Sequence, residues 1–170
     1  MRRYRFAAVM LLLVVSQFWL RPWMGTERAR WAPDFLLLAL LVYSIRTTPG
    51  RASLAGFLVG LLGDALTTTG LTTTPAAFGA GALAHTVVGY MAAWGKAVFF
   101  AENVLVSGGF FFAGTWIRDV LTMLAGGFAG SSEFFWQIAF WSPLKAFTTA
   151  VVGMIVLITF PRWLEARIVE

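Results

Sequence analysis

The chain of 170 residues contains no cysteine and a single histidine, His85. The first absence excludes disulfides, thiol nucleophiles and thiolate metal sites, and one histidine leaves a zinc site dependent on an unusual number of carboxylates. Charge is scarce as well: Asp, Glu, Lys and Arg make up 12% of residues, against 59% hydrophobic and 16% aromatic, with a mean hydropathy of +0.77. Soluble domains do not have that composition. Segments between apolar runs reach only about ten residues, too short for an independently folded module outside a membrane. The composition therefore points to one small domain embedded in a bilayer.

Six apolar stretches fill the chain, and the spacing predicts helices over 6–23, 33–45, 52–67, 76–94, 103–125 and 134–160, an all-α polytopic bundle. The start, Arg2-Arg3-Tyr4-Arg5 followed by apolar residues to Leu20, mimics a signal peptide, but Arg21-Pro22-Trp23 offers no small-x-small cleavage site. It is expected to be retained as the first span. The second run is short, about 17 Å of helix against a core of about 30 Å, and needs Trp31, Pro33 and a snorkelling Arg46 to cross, or else is re-entrant. The sixth run is longer than a crossing needs and contains Pro143, which removes a backbone donor and predicts a kink.

The pI near 10.5 and net charge of +5 would suggest nucleic acid in a soluble protein. Here the basic residues flank apolar segments and read instead as topology signals, with no nucleic-acid partner expected. With both termini inside, Arg2, Arg3, Arg5, Arg46, Arg51, Lys96, Arg162 and Arg167 lie on the inner side, and Arg21, Arg28 and Arg30 on the outer. Eight against three favours that orientation. The other two basic residues, Arg118 and Lys145, fall inside apolar stretches.

Charged groups at membrane depth cost roughly 2.5 to 3.5 kcal/mol each on insertion scales, so Asp64, Asp119, Arg118 and Lys145 need partners. Counting 1.5 Å per residue from helix ends puts Asp64 about 20 Å and Asp119 about 24 Å from the inner side, where the two share an outer polar site. The same count places His85 and Lys145 about 15 to 18 Å from the outer ends, near the midplane. Arg118 is expected to snorkel outward as a structural residue. Asp64 either bonds its own Thr67-Thr68-Thr69-Gly70 turn or joins an interior network, and the partner of Lys145, Asp64 or Asp119, stays open. The stretches Asp64-Ala65-Leu66-Thr67 and Asp119-Val120-Leu121-Thr122 hint at an internal repeat.

Small residues every fourth position mark close helix contacts. His85 lies in one such row, Ala77, Gly81, His85, Gly89 and Ala93, and is expected to be an interhelical hydrogen-bonding group. Gly56, Gly60 and Gly63 mark a second packing face, and Gly109 with Ala113 a third, each serving internal packing or a partner's helix. No catalytic constellation emerges. Ser107 in Leu105-Val106-Ser107-Gly108-Gly109 has no placed His, and an aspartyl pair of Asp64 and Asp119 lies too near the surface among residues matching no protease motif.

The order Pro33-Asp34-Phe35-Leu36-Leu37-Leu38, a basic turn from Arg46 to Arg51, then Gly56-Phe57-Leu58-Val59-Gly60-Leu61-Leu62-Gly63-Asp64 and a Thr/Gly turn resembles the MreD family of bacterial rod shape-determining membrane proteins. The likeness is sharpest over 33–90, and the triple Thr before Gly70 departs from it. The resemblance implies a non-enzymatic scaffold without cofactor in the bacterial inner membrane, associated with an MreC-like bitopic protein and working beside a RodA-type glycan polymerase, its transpeptidase and MreB filaments. It also implies a bundle similar to the substrate-binding subunits of energy-coupling-factor vitamin transporters, the alternative function. Such subunits tend to carry an Ala-x-x-x-Ala stripe on the first helix, whereas this chain has only Ala7 and Ala8 there.

Overall fold

A computed structural model of the protein describes residues 2–68, 79–99, 104–127 and 132–160. These residues form helices and no strand: α1 (Arg2–Ala29), α2 (Phe35–Ser44), α3 (Pro49–Thr68), α4 (Ala80–Phe99), α5 (Val104–Ala125), α6 (Ser132–Trp136) and α7 (Ser142–Thr159). A π turn over Gln137–Trp141 joins α6 to α7, so the pair runs on as one long helix. The predicted starts at 76 and 103 lie outside the described residues; α1 is longer at both ends than 6–23. Two runs, Val104–Ala125 and Phe134–Thr159, are long and apolar enough to cross a membrane.

Contacts fix the directions. Asp64 lies against Gly81, Gly60 against Ala82, Gly56 against His85 and Gly89 against Ala52, so α3 and α4 are antiparallel. Leu38 meets Gly153 and Leu40 meets Gly89, while Asp34 pairs with Arg118 and Leu41 with Gly114. Thus α2, α4 and α7 run one way and α3 and α5 the other. The bundle goes up and down with the chain.

Glycine decides how closely α3 and α4 approach. A Cβ on Gly89 would stand 2.6 Å from the Ala52 carbonyl oxygen, and one on Gly56 or Gly60 would overlap the α4 backbone. Backbones this close gain dispersion contact that larger side chains would forbid. Gly63 and Gly109, in contrast, face open space. The glycine faces of Gly56, Gly60 and Gly89 are therefore used up inside the molecule.

The core is built on α2, whose residues Leu36 to Val42 are all buried. Around it pack Phe6, Val9 and Leu13 of α1, Val88 and Ala92 of α4, Phe111 of α5 and Ala150 of α7. Phe6, Val9 and Leu13, with the buried Gln17, follow helical spacing, so α1 contributes one stripe. Its other face, including Leu11, Leu12, Val15 and Trp19, is exposed and apolar.

The helix predicted over 33–45 begins only at Phe35. Pro33 has no N–H to give and Asp34 is extended, at φ −92° and ψ 91°, with its Oδ1 accepting from the Leu37 N–H at 3.0 Å. That is an N-cap, which satisfies a donor the first helical turn leaves open. The ten residues of α2 cover about 15 Å, half of a 30 Å core. Residues 30–34 lead into it as an irregular strap, and its polar groups are met by side chains. The Thr148 hydroxyl donates to the Trp31 carbonyl at 2.7 Å, the Asp34 N–H donates to Thr149 Oγ1 at 3.0 Å, and the Phe35 N–H donates to Gln17 Oε1 at 3.0 Å. Arg30 lies over the Trp141 ring.

Pro143 sits at the second position of α7, directly after the π turn. Where a kink at Pro143 is expected, the helix carries a π turn just ahead of it. It leaves no π-turn residue buried and sets Ser142, Ala146, Thr149, Ala150 and Gly153 inward.

Candidate functional site: a ring of alternating charges

Four charged side chains from three elements meet at the start of α2. Arg118 of α5 donates through Nη2 to Asp34 Oδ2, and its Nη1 lies 3.0 Å from Asp119 Oδ1. Lys145 of α7 places Nζ 3.5 Å from Asp34 Oδ2 and 3.4 Å from Asp119 Oδ1. Each cation touches both carboxylates and each carboxylate touches both cations. The result is a closed ring in which sign alternates and net charge is zero.

The backbone explains how neighbours in sequence both reach it. Arg118 and Asp119 point about 100° apart on α5, but the long guanidinium turns back, so its two terminal nitrogens bridge Asp34 and Asp119. Asp119 also accepts from Ser142 Oγ at 3.0 Å, and Thr149 Oγ1 donates to the Lys145 carbonyl at 2.8 Å while receiving the Asp34 N–H. Side-chain exposures run from 7% at Asp119 to 15% at Lys145. Such groups persist away from water only when paired and hydrogen-bonded. The Arg118 Nε is buried without an acceptor among the described residues.

Asp64 makes a separate arrangement. Its Oδ2 accepts from the N–H groups of Gly79 at 2.9 Å and Ala82 at 3.1 Å, so a carboxylate from α3 caps the first turn of α4. Negative charge there meets the positive end of the helix dipole. A Cβ at Gly81 would overlap Asp64 Oδ1, so a larger residue there would push this carboxylate aside. His85, one turn further on, directs Nδ1 at the Gly81 carbonyl, 2.7 Å away, so that nitrogen carries the proton and donates.

The structure thus brings Arg118, Asp119 and Lys145 together and adds Asp34, which sequence reasoning placed only as a helix start. Arg118 does not snorkel outward; it is the hinge of the ring. Asp64 bonds the start of α4, Asp119 bonds Arg118, Lys145 and Ser142, and Lys145 finds Asp119 and Asp34. Of the described atoms, Asp64 bonds the start of α4, while the turn over 69–70 lies outside the described residues. Ala77 of the small-residue row lies outside them too. Gly81, His85, Gly89 and Ala93 are buried in α4.

A groove of about 410 Å³ opens between α4 and α5, floored by Leu41 and lined by Gly95, Gly109, Ala113 and Gly114. Gly109 there faces open space.

The fold and the ring define an all-helical bundle with a buried ionic centre. No protein-family model, curated protein or solved structure matches the chain.

Proposed function

We propose that this chain is a multi-pass scaffold of the inner membrane, of the MreD kind, that holds an MreC-like partner and supports lateral cell-wall synthesis. The observation that carries the reading is where the residues of the resemblance fall. Pro33 and Asp34 start the half-span that the ring locks, and Gly56, Gly60 and Asp64 form the closest helix pair. They build a rigid frame whose apolar outside is free for lateral contacts. The two long apolar helices and the exposed residues Leu11, Trp19, Phe57, Leu58, Phe147 and Ile158 suit a lipid setting.

In this reading the partner's transmembrane helix uses the open Gly109 face. Gly60 is excluded, because a side chain there would break α3 from α4. The experiment is affinity purification of the tagged chain from native membranes in mild detergent, with bound proteins identified by mass spectrometry. Recovery of an MreC-like protein with cell-wall polymerases is expected, reduced about tenfold by Gly109→Leu, the effect of losing about 1.4 kcal/mol.

One observation favours the alternative of a transporter's substrate-binding subunit: half-unwound spans with a helix N-terminus at mid-depth occur at substrate sites. Recovery of an ATPase pair with a coupling membrane subunit would establish it instead.

A further inference from the structure

The groove between α4 and α5 has the dimensions of a hydrocarbon chain. It follows α5 from Val106 to Ile117, about 16 Å of helix. Its volume of about 410 Å³ spread over that length leaves a mean cross-section of about 25 Å², a passage about 5 Å wide. A chain whose carbons meet their neighbours at roughly 4 Å fills it. A helix, about 10 to 12 Å across, can lie over its mouth but cannot enter. Gly95, Gly109, Ala113 and Gly114 make the depth by adding no more than a methyl to the walls, and Leu41 of the half-span is the floor. No lining side chain carries a charge, and the Trp94 indole N–H is the one strong donor among them.

Charge tells the two ends of the groove apart. At one end Ile117 precedes Arg118, whose charge the ring already balances. At the other, Trp94 and Val106 are exposed and Lys96 directly follows the lining residue Gly95. Because α4 runs with α2 and against α3, Arg46 after α2, Arg51 at the start of α3 and Lys96 all lie at this end of the bundle. The described residues there include no Asp or Glu, and Glu102, outside them, still leaves the end positive. We propose that the groove binds one acyl chain of an anionic phospholipid, with the headgroup at the end marked by Trp94 and Lys96. Trp favours the headgroup level of a bilayer, and basic residues beside that level attract anionic lipid. The inference rests on the membrane setting and not on the identity of a protein partner.

The full chain, with no partner protein, is placed in phosphatidylcholine nanodiscs holding a trace of phosphatidylglycerol, or of phosphatidylcholine, with a photoactivatable diazirine in its acyl chain, and labelled peptides are located by mass spectrometry. The exposed face of α1 at Leu11, Leu12 and Val15 serves as the reference for ordinary lipid contact. Labelling of the groove walls relative to that face is expected to be about fivefold higher with phosphatidylglycerol than with phosphatidylcholine, the scale of one basic residue acting on an anionic headgroup. Lys96→Gln should remove most of that preference. Gly109→Leu, whose side chain enters open space, should abolish groove labelling while sparing α1, and Ala113→Phe fills the same groove one turn on if the first variant fails to fold. Equal labelling of groove and α1, groove labelling indifferent to the headgroup, or groove labelling unchanged in a folded, filled variant overturns the proposal. A chain that does not stay with the discs overturns the membrane setting and this inference with it, whereas loss of the groove signal alone leaves the partner purification untouched.

Discussion

Asp119 receives Arg118, Lys145 and Ser142 at once, and its neutralisation would strand two cations beside a single remaining carboxylate. Breaking a buried pair on one side typically costs about 3 to 5 kcal/mol, much of it the charge left behind. Asp119→Asn is therefore expected to destabilise the purified protein by about 3 kcal/mol in thermal or denaturant unfolding. The double variant D119N/K145Q restores neutrality and should recover more than half of that loss. Strict additivity of the two single changes would show that the ring is not one unit. Asp34 is the residue that sequence reasoning valued least. Its type and place announce a helix cap, and it is one; nothing along the chain announces that Arg118, 84 positions away, shares the same carboxylate.

Between α3 and α4 the close packing separates two glycines that look alike in sequence. Gly60→Leu forces a side chain into the α4 backbone and is expected to cost at least about 3 kcal/mol, the upper range of overpacking, seen as lost folded yield. Gly63→Ala points into open space, gains helix propensity and should leave stability unchanged or raised by about 0.5 kcal/mol. The π turn makes a second contrast. A π turn carries one residue more than an α-helix needs, so deleting exposed Ala139 closes it into α-helix with both flanking faces kept. Deleting Leu144 instead turns Lys145 by about 100° away from Asp119. Folded yield by size-exclusion chromatography is expected to survive the first deletion and fail with the second. Helix number and type were legible because long apolar runs leave few choices. Which helices pair was not, since apolar faces all round give no direction, and Gly56 and Gly109 carry the same small-residue signal with opposite fates. The irregular strap was half legible, in Pro33 and in the shortness of the second apolar run.

Across the whole molecule, the up-and-down contacts make topology testable with the chemistry the chain lacks. Since it has no cysteine, single reporters stand on a silent background. Thr48, exposed in the turn between α2 and α3, and Ala125, exposed at the end of α5, lie at opposite ends of the bundle. In the proposed membrane setting, Thr48→Cys should react with an impermeant maleimide only after the inner face is opened, and Ala125→Cys in intact cells or spheroplasts. Labelling of both from one side would rule out the six-crossing arrangement.

A continuous helix ties the height of each residue to its facing, since every added residue brings both a rise and a turn. The strap ahead of α2 uncouples the two. Asp34 takes its height from where residues 30–34 cross α7, and its facing from the anchors on Thr149 and Gln17. Residues gained or lost before Arg30 can then be absorbed as slack without rotating α2, so the locked half-span acts as a register pin that shields the core from length changes in the outer part of α1.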